Sequence, residues 1–174
     1  KEKKIDAVCQ CCNDFGVYTA SYVAEELGLP GYDPYKTALL LHNKDKFKEF
    51  AKEYHIPTPQ SYGFSSPKEA LRWLRQAEYP AIIKPTDASA GNGIRRISSF
   101  GEAEEAVAFA FSKSRKGTIV VEKYLTGSQH GFCTFLINQK VAACSSNNEY
   151  SFLHPYRVDI DTFPAGNYMA VKKI

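Results

Sequence analysis

The 174-residue sequence contains no apolar run that approaches the roughly 18–20 residues needed to cross a membrane. It also lacks a strong charge bias, because 22 lysines and arginines against 19 aspartates and glutamates give a formal net charge of +3. The basic residues are scattered, whereas a nucleic-acid-binding surface gathers them on one face. The sequence therefore predicts neither a membrane protein nor a nucleic-acid-binding protein.

Cysteine is present but forms no disulfide framework, since the five residues are an odd set without regular spacing. Such a set is typical of a reducing compartment and indicates the cytoplasm. Cys9, Cys11 and Cys12 lie close together, yet no histidine or second cysteine pair stands at the spacing of a zinc site. The alternative, which we favour, is that they are small apolar residues on a buried strand.

Short strand patterns alternate with helical patterns along the chain, which predicts a protein of the α/β class, arranged as α+β lobes. The last two strand patterns are joined at Asn138-Gln139, where the sequence predicts a tight hairpin. Strands are predicted at 5–9, 61–64, 81–85, 94–97, 118–122, 132–138 and 141–146, and helices at 18–27, 44–54, 66–79 and 102–111.

One stretch combines a lysine with a loop of small residues. Lys84 ends a buried strand pattern, and the loop from Thr86 to Gly93 consists mainly of glycine, alanine and other small residues. Such a loop lets backbone N–H groups approach a polyphosphate, and lysine adds a point charge for the same phosphates. The spacing is not that of a P-loop. A surface hairpin with an exposed lysine is the alternative interpretation.

A second stretch, from Val120 to Gly127, joins an apolar strand to a charged pair and then to Tyr124 and Leu125. An adenine ring requires apolar walls and one donor and one acceptor at its edge, which an extended backbone segment can supply. Taken by itself, the stretch is equally consistent with an ordinary strand end.

The order of these features is more informative than any one of them. Lys44 opens a helix, Lys84 follows 40 residues later, and Glu122 follows after another 38. In this order the sequence resembles the ATP-grasp superfamily of ligases. It is most similar to the branch of carbamoyl-phosphate synthase large chains, biotin carboxylase and glycinamide-ribonucleotide-synthetase-like enzymes. The resemblance extends from Asp14 to about Ala165.

The resemblance implies a partial ATP-grasp fold preceded by the tail of a Rossmann-like domain, and a chain that is cut at both ends. The implied parts are the end of the preceding α/β domain (1–35), a first ATP-grasp subdomain (36–80), a subdomain with the glycine-rich flap (81–127) and the start of a C-terminal subdomain (128–174).

The resemblance also implies which residues bind ATP. Lys44 and Lys84 correspond to the two lysines that bind phosphates, and Ile82 and Tyr124 are candidates for the apolar walls of the adenine site. Gln129 stands where a ribose-binding glutamate is common, and His130 could share that role. The implied cofactor-binding residues are Lys44, Lys84, Ser89, Ala90, Gly91, Asn92, Gly93, Glu122, Lys123, Tyr124, Leu125, Gln129 and His130.

The implied function is the ATP-binding part of a carboxylate–amine ligase, or of a carbamoyl-phosphate-synthase-like enzyme, that works through an acyl phosphate. Its partners would be ATP and a small carboxylate or bicarbonate with an amine acceptor. The full-length enzyme would use Mg²⁺, but no residue here matches the family's metal segment, although Asp159 and Asp161 form a spaced acidic pair. We therefore expect this chain alone to be inactive. The alternatives are a nucleotide-binding module without turnover and a structural or metal-binding domain around the cysteines.

Overall fold

The computed structural model describes residues 4–10, 14–153 and 158–164. The helices are α1 (Asp14–Leu27), α2 (Tyr35–His42), α3 (Lys44–Glu53), α4 (Pro67–Leu74) and α5 (Ala103–Lys113), with a short 3₁₀ helix at Phe100–Glu102. The strands are β1 (Ser61–Phe64), β2 (Ala81–Pro85), β3 (Arg95–Ile97), β4 (Ile119–Lys123), β5 (Gln129–Ile137), β6 (Lys140–Leu153) and β7 (Val158–Pro164).

A four-stranded sheet with the order β1-β4-β2-β3 is the centre of the fold, and all its neighbouring strands are antiparallel. Side chains alternate between the two faces of a strand, so Ile83 and its cross-strand partner Val121 point to the same side. Both are fully buried and pack with Leu74 of α4 and Val107 of α5. One face of the sheet is therefore the hydrophobic core beneath α4 and α5.

The opposite face of the sheet is polar. Ile82 and Lys84 alternate with the buried residues of β2, and Glu122 lies directly across from Ile82 in β4. Helix α3 contacts β1 and β4 of this sheet. The face thus carries charged groups beneath a helix whose first residue is Lys44.

The start of the chain differs from the prediction. Residues 5–9 form no strand, and Cys9 is exposed, so the interpretation of a buried strand is wrong for this residue; Cys11 and Cys12 lie outside the described residues. A strand needs a neighbouring strand to pair its backbone groups, and none of the described strands lies beside residues 5–9. The apolar pattern alone does not contain that information. Helix α1 then begins at Asp14, four residues before the predicted start, with an acidic residue favourably placed in its first turn.

The helix after β1 is shorter than predicted. It begins at Pro67, directly after Ser66, but ends at Leu74 rather than at Tyr79. The carbonyl of Leu74 accepts hydrogen bonds from the Tyr79 hydroxyl at 2.6 Å and from the backbone N–H of Ala77 at 3.4 Å, so that this acceptor of the last turn is satisfied outside the helix. Helix α2 was not predicted at all.

The second sheet has the order β5-β6-β7 and antiparallel pairing throughout. The predicted hairpin is confirmed, because Asn138 and Gln139 both adopt positive φ between β5 and β6, as a two-residue hairpin turn requires. The strands extend further than the sequence pattern indicated, and β7 lies in a stretch that we found weakly patterned.

We expect Ile83→Ala to lower the free energy of unfolding by about 2–5 kcal/mol, because the substitution leaves a cavity in the core beneath α5. Ile5→Ala removes the same atoms from a side chain that is 58% exposed and should change stability by less than about 0.5 kcal/mol. Urea denaturation of both variants tests this. Equal effects would contradict the assignment of the core face.

Gly93 occupies a position where the backbone packs against its neighbours. Its φ is +80°, and an added Cβ would stand 2.5 Å from Cγ of Pro85 and 2.8 Å from Cβ of Lys113. The proline ring and the first side-chain atom of a helical residue cannot swing away. Glycine is therefore required here by the close approach of the loop to β2 and α5.

Gly93→Ala should consequently destabilise the protein more than Gly117→Ala. Gly117 also has a left-handed backbone (φ +64°), but nothing lies within 4 Å of an added Cβ. Both variants carry the backbone penalty of about 1–2 kcal/mol, and only Gly93→Ala adds an overpacking cost of about 1–3 kcal/mol. Thermal and urea unfolding measure the difference; a Gly117→Ala variant that is the less stable of the two would refute the packing argument.

Candidate functional site

A buried carboxylate organises the polar face of the central sheet. The Glu122 side chain is only 4% exposed, and its Oε2 accepts a hydrogen bond from Lys84 Nζ at 3.0 Å. Its other oxygen, Oε1, lies 3.6 Å from Nζ of Lys48 on α3. Because a buried carboxylate is costly unless it is paired, these two lysines offset the cost of burying Glu122 at this position. Two residues predicted for opposite ends of a nucleotide, Lys84 and Glu122, are thus in direct contact.

Lys44 joins α3 to the small-residue loop. Its Nζ donates a hydrogen bond to the carbonyl of Ala88 at 2.5 Å, and its backbone N–H donates to the carbonyl of Thr86 at 3.2 Å. Burial lowers the pKa of Lys44, and the nearby positive charge of Lys84 lowers it further, while Asp87, Asp14 and Glu122 act in the opposite direction. The two predicted phosphate-binding lysines therefore lie close enough to repel each other.

Lys48 is a member of the site that the sequence analysis missed. It lies four residues after Lys44, on the same face of α3, and its Nζ donates to Thr58 Oγ1 at 2.6 Å as well as approaching Glu122. Burial lowers its pKa, and the carboxylate of Glu122 opposes that effect. The i,i+4 spacing of the two lysines was a signal that could have identified it.

The small-residue loop is anchored where it leaves β2. The Asp87 carboxylate accepts hydrogen bonds from Ser114 Oγ at 2.8 Å and from the backbone N–H of Lys116 at 2.9 Å. The buried Asn43 side chain accepts a hydrogen bond from Lys116 Nζ and donates one to the Leu39 carbonyl. These contacts attach the root of the loop both to the segment after α5 and to the start of α3.

The outer part of the loop has a different character from its root. The five predicted residues from Ser89 to Gly93 lie between β2 and β3, and internal backbone hydrogen bonds run from Asn92 to Ser89 and from Ile94 to Gly91. Ala90 and Asn92 are exposed, whereas Gly93 is buried. The exposed segment is therefore short, and it stands beside the Lys44 ammonium group.

The predicted adenine hinge follows directly from β4. Lys123 donates its backbone N–H to the carbonyl of Gln60 at 3.0 Å, and Tyr124 donates its own to the carbonyl of Pro80 at 3.1 Å. Both amides are thus used within the sheet, so the contribution of Lys123 to a base edge would have to come from its carbonyl. The Lys123 side chain points away from Glu122 and pairs with Glu78 at 2.7 Å.

The two residues predicted for the ribose lie at the start of β5 and are exposed. Gln129 Nε2 donates to Glu149 Oε2 at 2.6 Å, and His130 Nε2 lies 2.8 Å from Ser128 Oγ. Both of these hydrogen bonds therefore join residues of β5 to groups outside the lysine cluster.

A cavity of about 240 Å³ lies next to Lys44, between α1, the end of α2 and the loop. The sequence analysis did not identify it, because its walls come from segments that are far apart in the sequence. Burial raises the pKa of Tyr18 in this cavity, and the negative charges of Asp87 and Asp14 add to the effect. The lining residues are Asp14, Phe15, Tyr18, Leu41, His42, Lys44, Asp87, Ala88 and Ser89.

No group of three or more histidine, cysteine, aspartate or glutamate side chains in the described residues is placed to hold a metal ion. None of the helices in this part of the chain is both long enough and apolar enough to span a membrane.

Comparison with known proteins identifies the family. The sequence model of the phosphoribosylglycinamide synthetase ATP-grasp (A) domain matches residues 42–162. The phosphoribosylamine–glycine ligase of Haemophilus influenzae is 27% identical over 148 residues, which are 82% of this chain and 34% of that protein. The chain thus spans about a third of the length of this curated relative.

Solved structures show the same fold. The L-amino acid ligase from Bacillus licheniformis superposes with a TM-score of 0.67 and 25% identity, over 83% of this chain and 32% of that one. The biotin carboxylase domain of the Hydrogenobacter thermophilus 2-oxoglutarate carboxylase was solved with MgADP, ADP and bicarbonate. It superposes with a TM-score of 0.55 and 26% sequence identity, over 65% of this chain and 26% of that one.

The predicted resemblance to the ATP-grasp ligases and the predicted fold are therefore confirmed. With more than half of its length matched by one family model, the chain belongs to the phosphoribosylglycinamide synthetase ATP-grasp (A) domain family.

Proposed function

We propose that this chain supplies the ATP-binding part of an ATP-dependent carboxylate–amine ligase. The observation that carries the proposal is the cationic cluster of Lys44, Lys48 and Lys84, set beside a loop of small residues on the polar face of an ATP-grasp sheet. Amines of this kind, together with backbone amides that no side chain screens, form a site for a polyphosphate.

In this proposal the phosphates of ATP lie between Lys44 and Lys84, under the loop from Ser89 to Gly93. Lys44 now donates to the carbonyl of Ala88. A phosphate oxygen is a stronger acceptor than that neutral carbonyl, because its hydrogen bond is charge-assisted. The exchange would free the loop to close over the nucleotide.

The base would lie beside the hinge, with Glu122, the carbonyl of Lys123 and the backbone N–H of Leu125 at its edge. Ile82 and Tyr124 are half-buried on the same face and supply apolar surface. Gln129 or His130 would reach the ribose only after release from Glu149 or Ser128. The subdivision at 36–80, 81–127 and 128–174 follows from this assignment, with 1–35 belonging to the preceding domain.

The chemistry we propose has two steps. A carboxylate or bicarbonate oxygen attacks the γ-phosphorus of ATP, forming an acyl phosphate and releasing ADP. An amine then attacks the acyl carbon, forming the C–N bond and releasing phosphate. The contribution of the lysines is to position and neutralise the phosphates. Mg²⁺ in such reactions neutralises developing charge, but the described residues offer no group of three metal ligands, and we assign no step to it.

The names of the similar proteins suggest which substrates to test first. Glycine as the carboxylate with phosphoribosylamine as the amine would follow the Haemophilus relative. Bicarbonate would follow the biotin carboxylase domain. Hydroxylamine traps the acyl phosphate of glycine as a hydroxamate, so glycine-dependent hydroxamate formation by the full-length enzyme would identify glycine, and bicarbonate-dependent release of phosphate from ATP would identify bicarbonate. Nucleotide binding by the full-length protein without either product is what the second candidate, a binding module without turnover, predicts.

We place this function in the cytoplasm. Cys133 and Cys144 are exposed free thiols, which persist in a reducing compartment. The five-cysteine pattern of the sequence agrees with that placement.

Lys84→Ala should weaken ADP binding by about 1.5–3 kcal/mol, the range for a hydrogen bond to a charged group, because it removes a phosphate ligand. Lys68→Ala is the matched control, since it removes an exposed lysine from α4 on the other side of the sheet. Isothermal titration calorimetry measures both. Unchanged ADP affinity in a folded Lys84→Ala variant would remove Lys84 from the site.

The affinity for ADP should fall as the pH rises. An ordinary lysine has a pKa of 10.5, and the fall should begin at a lower pH than the loss of its proton would give. The reason is the lowered pKa of Lys44, which must be protonated to bind phosphate. Arginine stays protonated throughout this range, so Lys44→Arg should move the fall in affinity to higher pH, although Lys48, whose pKa burial also lowers, keeps some pH dependence in the variant. A fall at the same pH in the wild type and in Lys44→Arg would argue against Lys44 as a phosphate ligand.

A further inference from the structure

We propose that Arg96 is a base-binding residue, whose guanidinium group stacks on the purine ring of the bound nucleotide with Tyr124 as its support. The inference rests on the proposed nucleotide site and adds to it a residue that neither the motifs nor the fold comparisons identify.

The two arginines of β3 point to opposite faces of the central sheet. Arg95 pairs with Glu105 of α5 at 3.0 Å, and its guanidinium carbon lies 5.1 Å from the ring centre of Phe109 on the same helix. Ile97 lies on this face too and is buried in the core. Because side chains alternate along a strand, Arg96 lies on the polar face, with Lys84 and Glu122.

The strand register places Arg96 at the base end of that face. Arg96 pairs with Ile82, and Ile82 pairs with Glu122, so the three residues form a row across β3, β2 and β4. Residues directly opposite each other in a sheet have their side chains in contact range. Tyr124 is the first residue after β4, and its backbone N–H donates to the carbonyl of Pro80 just before β2. It therefore lies at the end of the sheet that is farther from the loop.

The guanidinium of Arg96 is already positioned by an aromatic ring. Its central carbon lies 4.8 Å from the ring centre of Tyr124, although the arginine as a whole is exposed. No carboxylate in the described part of the chain forms an ion pair with Arg96, in contrast to Arg95.

A guanidinium is planar, weakly hydrated and able to stack on aromatic faces. With one face over Tyr124, its other face is suited to a second flat group, and the group proposed beside the hinge is the purine ring. Cation–π contact of this kind supplies affinity for any base with a large ring face. Because Tyr124 holds the side chain in place beforehand, less rotamer freedom is lost on binding.

The test compares ligands with and without a base. Calorimetry with ADP and with tripolyphosphate should show that Arg96→Met weakens ADP binding about 3- to 10-fold while leaving tripolyphosphate affinity within about twofold. Arg96→Lys, which keeps the charge but not the flat face, should lose ADP affinity as Arg96→Met does. Arg95→Met, on the opposite face, is the matched control and should bind both ligands like wild type.

Support by Tyr124 is tested by a double-mutant cycle. The loss caused by Arg96→Met should be smaller in a Tyr124→Leu background, because the arginine there is no longer held in place. Thermal melting confirms that each variant is folded; Arg96→Gln replaces Arg96→Met should the latter melt below the assay temperature.

Four outcomes would overturn the inference. The first is that Arg96→Met binds ADP with unchanged affinity. The second is that it loses affinity for ADP and tripolyphosphate equally, which would make Arg96 a phosphate ligand. The third is that Arg96→Lys keeps full affinity for ADP, which would make charge alone sufficient. In each of these cases a Lys84→Ala defect would leave the proposed nucleotide site standing. A wild-type protein that binds neither ligand would remove the inference together with the proposed function.

Discussion

The carboxylate of Glu122 lies beneath two lysine side chains, and the arrangement of the other charged groups depends on this burial. Taking a carboxylate out of water costs several kcal/mol, which Lys84 and Lys48 offset by their proximity. Because these lysines belong to β2 and α3, the ion pairs attach the helix to the sheet through charge rather than through apolar contact. The same constraint places Lys44, one turn before Lys48, at the loop.

A bound polyphosphate would change the charge balance around these lysines. Lys44, Lys48 and Lys84 gather around Glu122, with Asp87 and Asp14 also acting on Lys44, and the lowered pKa values of Lys44 and Lys48 reflect first of all their burial. A polyphosphate beside them would favour their charged forms. The proposed site is therefore prepared for an anion by the same groups that hold the fold together, so that folding and binding draw on one set of interactions.

The sequence predicted what local pattern determines and missed what tertiary packing determines. The strand around Lys84, the hairpin at Asn138-Gln139 and the order of the three motifs follow from alternation, turn chemistry and spacing, and all were found. The strand at residues 5–9 was wrong because pairing partners cannot be read from an apolar run. Lys48 was missed because only its spacing from Lys44 indicated it, while its contact with Glu122 comes from the packing of α3 on the sheet. The role proposed for Arg96 depends on strand register, which no single segment encodes.

The burial of Gly93 has a consequence for how the loop can vary. Pro85 at the end of β2 and Gly93 near the start of β3 lie against each other, and Asp87 is fixed to Ser114 and Lys116. The segment between them thus leaves and re-enters the sheet at nearly one point, as in an Ω-loop. Its length and composition can change without shifting the register of β2 and β3.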